Sequence, residues 1–446
     1  MLHIHFGCGR LGLGLIAPYM RTADSELVLF NRGAPGSPSA KAAWPVDTPS
    51  QTFDSPLTEP DPVMPAATAV RNALLADGAS RADGEAPYYL VAHSDGHDQR
   101  VRHRVRYNRF FTYGDDIDTL IGKVLEQSRQ KHKGVIVSGA LMQVRHYAGV
   151  VRALNVLRGA NETSDPAAHD DDATQVPEKR IGRLYFVACE NMFSAADVLA
   201  DKAFAEMLGT PGQRPIHCVT ALVDRICSRM DRCMANGRER LLVTTESYGK
   251  LTLHEQGDQT TLAEMLAGSK VTFSKHLETE REIKGWLLNG SHLLIALTAF
   301  RETKGDMDLK LNEFIADSTM HRYFAGEIIT EMRDGVEAIL ESDPTYASFR
   351  HDVDISAYLD KAAACILSRF AHNEDSVTRI LKRFRAPTED DLLAVQTFVG
   401  ILLRKIERPL HAYAEKFGVP PKASTEALVN VLRLQASATY ANNAPH

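Results

Sequence analysis

The amino-acid sequence predicts a parallel α/β sheet in its first half and a mainly helical second half. Three observations carry this. A strand-like run, Leu2-His-Ile-His-Phe6, is followed at once by glycines at 7, 9, 12 and 14 and then by a second strand, Glu26 to Phe30. Strand, glycine turn, helix, strand is how a parallel sheet opens. Short apolar runs then continue to Cys189, and from about residue 255 long amphipathic patterns take over.

The elements follow in order. The glycines lead into Leu15 to Met20, and the second strand ends in Asn31-Arg32-Gly33. Residues 33–65 are rich in Pro, Ser, Ala and Thr, lack periodicity and read as loop. Tyr88 to His93 and Arg100 to Tyr113 read as strands, joined as a hairpin across Ser94-Asp95-Gly96. Asp116 to Gln130 has helical spacing, while Gly134 to Ser138 and Arg183 to Cys189 read as buried strands. The polar stretch 159–179, with Asp170-Asp171-Asp172, reads as an exposed insertion. Helical patterns cover 281–300, 320–341, 354–371, 388–416 and 423–436. The expected division is a first domain over 1–254 and a helical domain over 255–446.

Composition narrows the function. The 446 residues carry 51 Lys and Arg against 57 Asp and Glu, a net charge of −6. A phosphate-binding surface usually needs an excess of cations, so nucleic acid is not the expected partner. Cysteines at 8, 189, 218, 227, 233 and 365 are too sparse for a disulfide framework and form no CxxC pair. Neither do they give the Cys/His spacing of a zinc site, and no metal is expected. The longest largely apolar run, Gly285 to Phe300, contains Asn289, Ser291 and His292 and falls short of the ~20 residues a bilayer demands. A cytoplasmic location without membrane attachment is the expectation.

Gly7-Cys8-Gly9-Arg10-Leu11-Gly12 is a GxGxxG placed straight after a strand and opening a helix. Its three glycines serve a tight turn, close backbone approach to a pyrophosphate, and helix–strand packing. The helix N-terminus then offers N–H groups and a positive dipole end to the anion. This points to a Rossmann-type N-terminal domain binding NAD or NADP. Where an acidic residue would grip the ribose hydroxyls, the second strand ends in Asn31-Arg32. Arg32 suits a 2′-phosphate and tilts the reading toward NADP, or else it is a solvated loop cation.

Lys284, Asn289 and His292 fall near 0°, ~140° and ~80° on a helix at ~100° per residue, one polar side of an apolar stretch. A desolvated lysine is suited to general acid/base work. Asn stabilises a developing alkoxide without changing charge, and His can orient a hydroxyl. The competing readings are a surface cation, a helix break at Asn289-Gly290 and a satisfied core histidine. Ala188-Cys189-Glu190-Asn191-Met192 follows a buried strand, where ligands bind in parallel sheets. There Asn191 offers an amide to the same oxygen or caps a helix. Val223-Asp224-Arg225-Ile226 is a polar pair within an apolar run.

These pieces in this order resemble the polyol-specific long-chain dehydrogenases: mannitol-1-phosphate 5-dehydrogenases, mannitol 2-dehydrogenases and hexuronate reductases. The shared pattern is the near-N-terminal GxGxxG, CEN-M, VDRI and K-x4-N-x2-H ahead of a helical C-terminal domain. The resemblance spans most of the chain. It implies Lys284 as general acid/base, Asn191 and Asn289 polarising the substrate oxygen, and His292 and Asp224 lining the polyol site. Three departures stand out: Asn31 in place of an acidic residue, Cys227-Ser228 where a proline usually follows VDRI, and Arg369-Phe370-Ala371-His372-Asn373 in place of RFxNP. Arg369, Arg379 and Lys382 are then the candidates for the substrate's far end.

The resulting expectation is an α/β fold, a Rossmann-type N-terminal domain followed by a mainly α-helical C-terminal domain. It would be a metal-independent NAD(P)-dependent polyol dehydrogenase, acting on a small sugar alcohol or ketose, phosphorylated or not, as a monomer or dimer. The rivals are a hexuronate (tagaturonate or fructuronate) reductase and a catalytically inactive dinucleotide-binding sensor.

Overall fold

In a computed structural model the chain divides into two compact units, Met1–His93 with Arg100–Leu277, and Glu278–His446. The residues described are 1–32, 74, 87–93, 101–128, 132–159, 183–190, 193–205, 215–235, 238–255, 260–304, 306, 308–372, 375–377, 380 and 392–429. The 33–65 loop lies outside them, as does the 159–179 insertion apart from Gly159.

Among the described residues the first unit is built on twelve strands. They are β1 Leu2–Phe6, β2 Glu26–Arg32, β3 Tyr88–His93, β4 Val101–Arg106, β5 Arg109–Tyr113, β6 Gly134–Gly139, β7 Arg183–Ala188, β8 Ile216–Asp224, β9 Cys227–Ala235, β10 Arg238–Thr245, β11 Lys250–His254 and β12 Val271–Ser274. Eight form one sheet in the order β12-β11-β8-β7-β6-β1-β2-β5. The six from β5 to β8 are all parallel, and this is the doubly wound Rossmann-type order. β11 runs antiparallel to β8 and pairs in parallel with β12. That pairing carries the first unit to Leu277, past the expected boundary at 254.

Both faces of this sheet are covered, which is why its strands are apolar on both sides. Leu2, Ile4, Phe6, Val28, Phe30 and Phe111 pack on one face against α1 (Ile117–Gln127) and α2 (Ala148–Gly159). The Phe6, Phe30 and Phe111 rings stack in series at 4.9 and 5.1 Å. On the opposite face Ile136, Tyr185, Val187 and Val219 pack with Leu15, Ile16 and Tyr19 of the helix after the glycine turn.

The expected single strand from Arg100 to Tyr113 is two strands in two sheets. β4 pairs antiparallel with β3, while β5 joins β2. β3 and β4 belong to a four-stranded sheet, β4-β3-β10-β9, that the sequence reading did not anticipate. Its Tyr89, Val91, Leu241 and Val243 pack on Leu27, Leu29 and Phe110.

The second unit is helical. Leu277–Ile283 (α3), a wide turn Lys284–Gly290 and Ser291–Glu302 (α4) form one rod. Leu311–Ala316 (α5), Ile329–Ser342 (α6), Ile355–His372 (α7) and Leu392–Phe417 (α8) follow. From the apolar run Gly285 to Phe300, too short for a membrane, Leu287, Leu288, Leu293, Leu294, Ile295 and Leu297 lie buried in this unit's core. No helix among the described residues is long and apolar enough to cross a membrane. α6 and α8 meet at Gly335, where a Cβ would lie 2.1 Å from the Pro409 carbonyl oxygen. The buried carboxylate of Glu331 accepts the amide N–H groups of Ala423 and Ser424 at 3.0 and 2.7 Å, fixing the helix over 422–429.

Candidate functional site

The GxGxxG of the first unit is built as its glycines require. Gly7 has φ +96° and donates its N–H to the Phe30 carbonyl at 3.0 Å, turning the chain off β1. A Cβ at Gly12 would sit 2.1 Å from the Gly7 carbonyl oxygen and 2.4 Å from His5 Nε2, so close helix–strand packing excludes any side chain there. At Gly9 a Cβ would meet nothing within 4 Å. The first helical hydrogen bond runs from the Leu13 amide to the Gly9 carbonyl, so the amides of Arg10, Leu11 and Gly12 precede the ladder. An open face at the middle glycine beside a helix N-terminus fits a dinucleotide pyrophosphate.

Beneath the turn lies a relay that the motif alone does not reveal. His5 Nε2 is 3.2 Å from the Gly7 carbonyl oxygen, and a nitrogen facing a carbonyl must donate. His5 Nδ1 therefore accepts from the Ser138 hydroxyl at 2.8 Å. The Ser138 oxygen in turn accepts from His3 Nε2–H at 2.8 Å. Burial holds both imidazoles neutral, pushing His3 down to about 3, with His5 nearby adding to it, and His5 down to about 4.

Arg32 is exposed and Asn31 half-buried at the end of β2, opposite Tyr113 and Thr112 of β5. The Arg10 guanidinium donates to the Ser228 carbonyl at 2.8 Å, and Leu11 packs on the core around Tyr185. Asp224 is the last residue of β8, half-buried and opposite Lys250 of β11.

Two charged residues in quoted motifs are anchors to which sequence reading gave no role. Glu190 Oε1 accepts the amides of Leu141 and Met142 at 2.6 and 2.8 Å. Burial raises its carboxyl above the ordinary range, although those amides and the Tyr147 hydroxyl favour the ionised form. Arg225 donates to the carbonyls of Gly14, Glu246, Tyr248 and Ser247 and lies over the Tyr19 ring. Ile226 and Glu246 exchange hydrogen bonds, Ile226 N–H to Glu246 Oε1 at 2.6 Å and Glu246 N–H to the Ile226 carbonyl at 3.0 Å. The available signal was a charged side chain inside an apolar run.

In the second unit Lys284, Asn289 and His292 share the α3–α4 rod. The Lys284–Gly290 segment is a π-helical turn, so the Asn289-Gly290 pair does not break the helix. An i→i+5 ladder stacks Asn289 one turn along from Lys284, whereas α geometry would set them ~140° apart. Lys284 and Asn289 are half-buried. His292 is buried, its ring stacked on Phe370 at 4.5 Å and its Nε2 3.4 Å from Asp375 Oδ2. The core-histidine reading thus has its packing, and the ring orientation is fixed from two sides. Arg369, also buried, lies in the last turn of α7 next to Phe370.

Asn191, Arg379 and Lys382 lie outside the described residues; the cap of the helix Ala195–Ala200 is Ser194, in a reciprocal capping box with Asp197. Among the described residues no group of three His, Cys, Asp or Glu could hold a metal ion, and no disulfide joins the cysteines.

No protein-family model matches this chain, and no curated protein matches it. Solved structures similar to it include a Pseudomonas fluorescens mannitol 2-dehydrogenase in ternary complex with NAD and D-mannitol, at 14% identity and TM-score 0.49, covering 98% of this chain and 91% of that one. A D-sorbitol dehydrogenase is similar at 13% identity and TM-score 0.47, covering 90% of this chain and 80% of that one. A Ralstonia eutropha JMP134 ketopantoate reductase of the PanE/ApbA family is similar at 12% identity and TM-score 0.40, covering 98% and 99%.

Proposed function

We propose that the chain is an NAD(P)-dependent oxidoreductase that interconverts a sugar alcohol, phosphorylated or not, and its ketose. The observation that carries the reading is the glycine turn, with Gly7 at positive φ, Gly12 packed against His5 and Gly9 facing open space. Gly7, Gly9, Arg10, Leu11 and Gly12 would hold the pyrophosphate, and Asn31 and Arg32 the adenosine ribose. The nicotinamide, when bound, supplies or accepts the hydride.

The chain's own residues manage the proton and the substrate. Lys284 Nζ takes the hydroxyl proton during oxidation and returns it to the carbonyl oxygen during reduction. Asn289, stacked one turn along the same π-helical segment, donates to that oxygen as it becomes an alkoxide, with Asn191 as second donor. His292, braced by Phe370 and Asp375, receives a substrate hydroxyl, with Asp224, Arg369, Arg379 and Lys382 as further substrate contacts.

The test begins with nicotinamide fluorescence on titration with NADH and NADPH. Saturable binding is then followed by a panel of ketoses, ketose phosphates and hexuronates. Lys284→Ala is expected to lower kcat by about 10²–10⁴-fold while cofactor affinity stays at the wild-type value. Near-normal kcat in that variant would refute the lysine mechanism. Turnover confined to hexuronates would move the assignment to the reductase branch, and binding without turnover to the sensor.

A further inference from the structure

The loop after β6 is held more firmly than the glycine turn alone requires. Met142 has φ 65°, a left-handed conformation rare for a side chain of its size. Glu190 keeps it there by accepting the amides of both Leu141 and Met142 on one oxygen. The Tyr147 hydroxyl lies 3.3 Å from that same oxygen and 3.0 Å from the Gly139 carbonyl. His146 Nδ1 closes on the Leu141 carbonyl at 2.8 Å. The loop abuts the glycine turn: Ala140 N–H donates to the Phe6 carbonyl at 3.0 Å, and a Cβ at Gly7 would lie 2.4 Å from the Ala140 oxygen.

What this frame presents is an apolar side chain in water. Met142 is 81% exposed, the highest value among the large hydrophobic residues described. Its place explains it. The chain runs from β1 to β2 and β5 on one side, and through β6, β7 and β8 on the other. Ligands of doubly wound sheets bind outside the carboxyl ends of the strands where the order reverses, which here is between β1 and β6. Met142 follows the carboxyl end of β6.

We infer that Met142 is a dinucleotide contact, its thioether lying against the bound nucleotide, and that Glu190 is the positioning residue that displays it. Methionine suits this because its sulfur is polarizable and pairs well with aromatic rings. The inference rests on the dinucleotide reading of the first unit.

The test uses the full chain labelled with ¹³C on its methionine methyls, titrated with NADH and with NADPH. Met142→Gly assigns the resonance. The Met142 methyl is expected to shift with the same saturation as nicotinamide fluorescence. Because glycine accepts positive φ without strain, Met142→Gly should keep the wild-type Tm or exceed it. It should bind the dinucleotide about tenfold more weakly, a loss of ~1.4 kcal/mol, in the range of a partly buried apolar contact. Glu190→Ala should lose affinity and Glu190→Gln should recover part of it, because the amide oxygen still accepts both N–H groups. Saturable binding with an unmoved Met142 methyl, or wild-type affinity in Met142→Gly, would overturn the inference. Failure of the wild-type chain to bind either dinucleotide would instead overturn the underlying reading, and this inference with it.

Discussion

Single side chains, present or absent, decide what the glycine turn can hold. Position 12 has no room for a methyl group, and the middle glycine at position 9 faces open space. The GxGxxG spacing made this much legible, because each glycine has its own steric reason. What spacing did not reveal is the support beneath. His3 and His5 read as ordinary strand residues until β6 sets Ser138 opposite His5 in register. Arg225 reads in the sequence as one member of a polar pair within an apolar run, yet its guanidinium spans four backbone carbonyls brought together by the fold. Arg32 supports a prediction at this scale. It is an exposed cation where a carboxylate would repel a 2′-phosphate, so Arg32→Ala should weaken NADPH binding by about tenfold more than NADH binding, ~1.4 kcal/mol. Parallel titrations check it, and equal losses would rule out a phosphate contact.

At the scale of elements, apolar runs marked the central strands because a parallel sheet buries both faces. β9 is obscured by its charges, since long basic side chains can leave the strand surface while the backbone pairs, whereas the equally basic β4 lies within the run read as strand. The amphipathic patterns located the long helices, but a reading at a fixed helical angle could not show the wider turn at Lys284–Gly290. That turn has a testable consequence. Gly285 has open space around it, and deleting it would close the segment to α register. Lys284 and Asn289 would then stand at i and i+4, still one turn apart on one face. Helical circular dichroism, dinucleotide affinity and turnover should therefore be largely retained. Turnover as low as in Lys284→Ala would show that the wider turn itself sets the alignment of the two groups.

For the whole molecule, the buried titratable groups set an acid limit. His3 and His5 are neutral when folded, near 3 and 4, and take up protons near 6.5 once unfolded. Unfolded chain therefore binds more protons across that interval, and stability should be fully present above about pH 6.5 and decline as pH falls. Burial of Glu26 is outweighed by His132 and Arg109, so its carboxyl lies below the ordinary 4.5 and adds a further loss in more acid solution. Denaturant midpoints measured from pH 8 down to 5 check this, and a flat profile would contradict the neutral relay. The same relay constrains how this sequence can change over time. Each of its hydrogens has one destination, so replacing His3, Ser138 or His5 alone strands a buried side-chain partner, whereas exchanging all three for apolar residues costs only the bond to the Gly7 carbonyl. The three positions should therefore show strong epistasis, drifting as a block through descendants of this chain rather than one at a time.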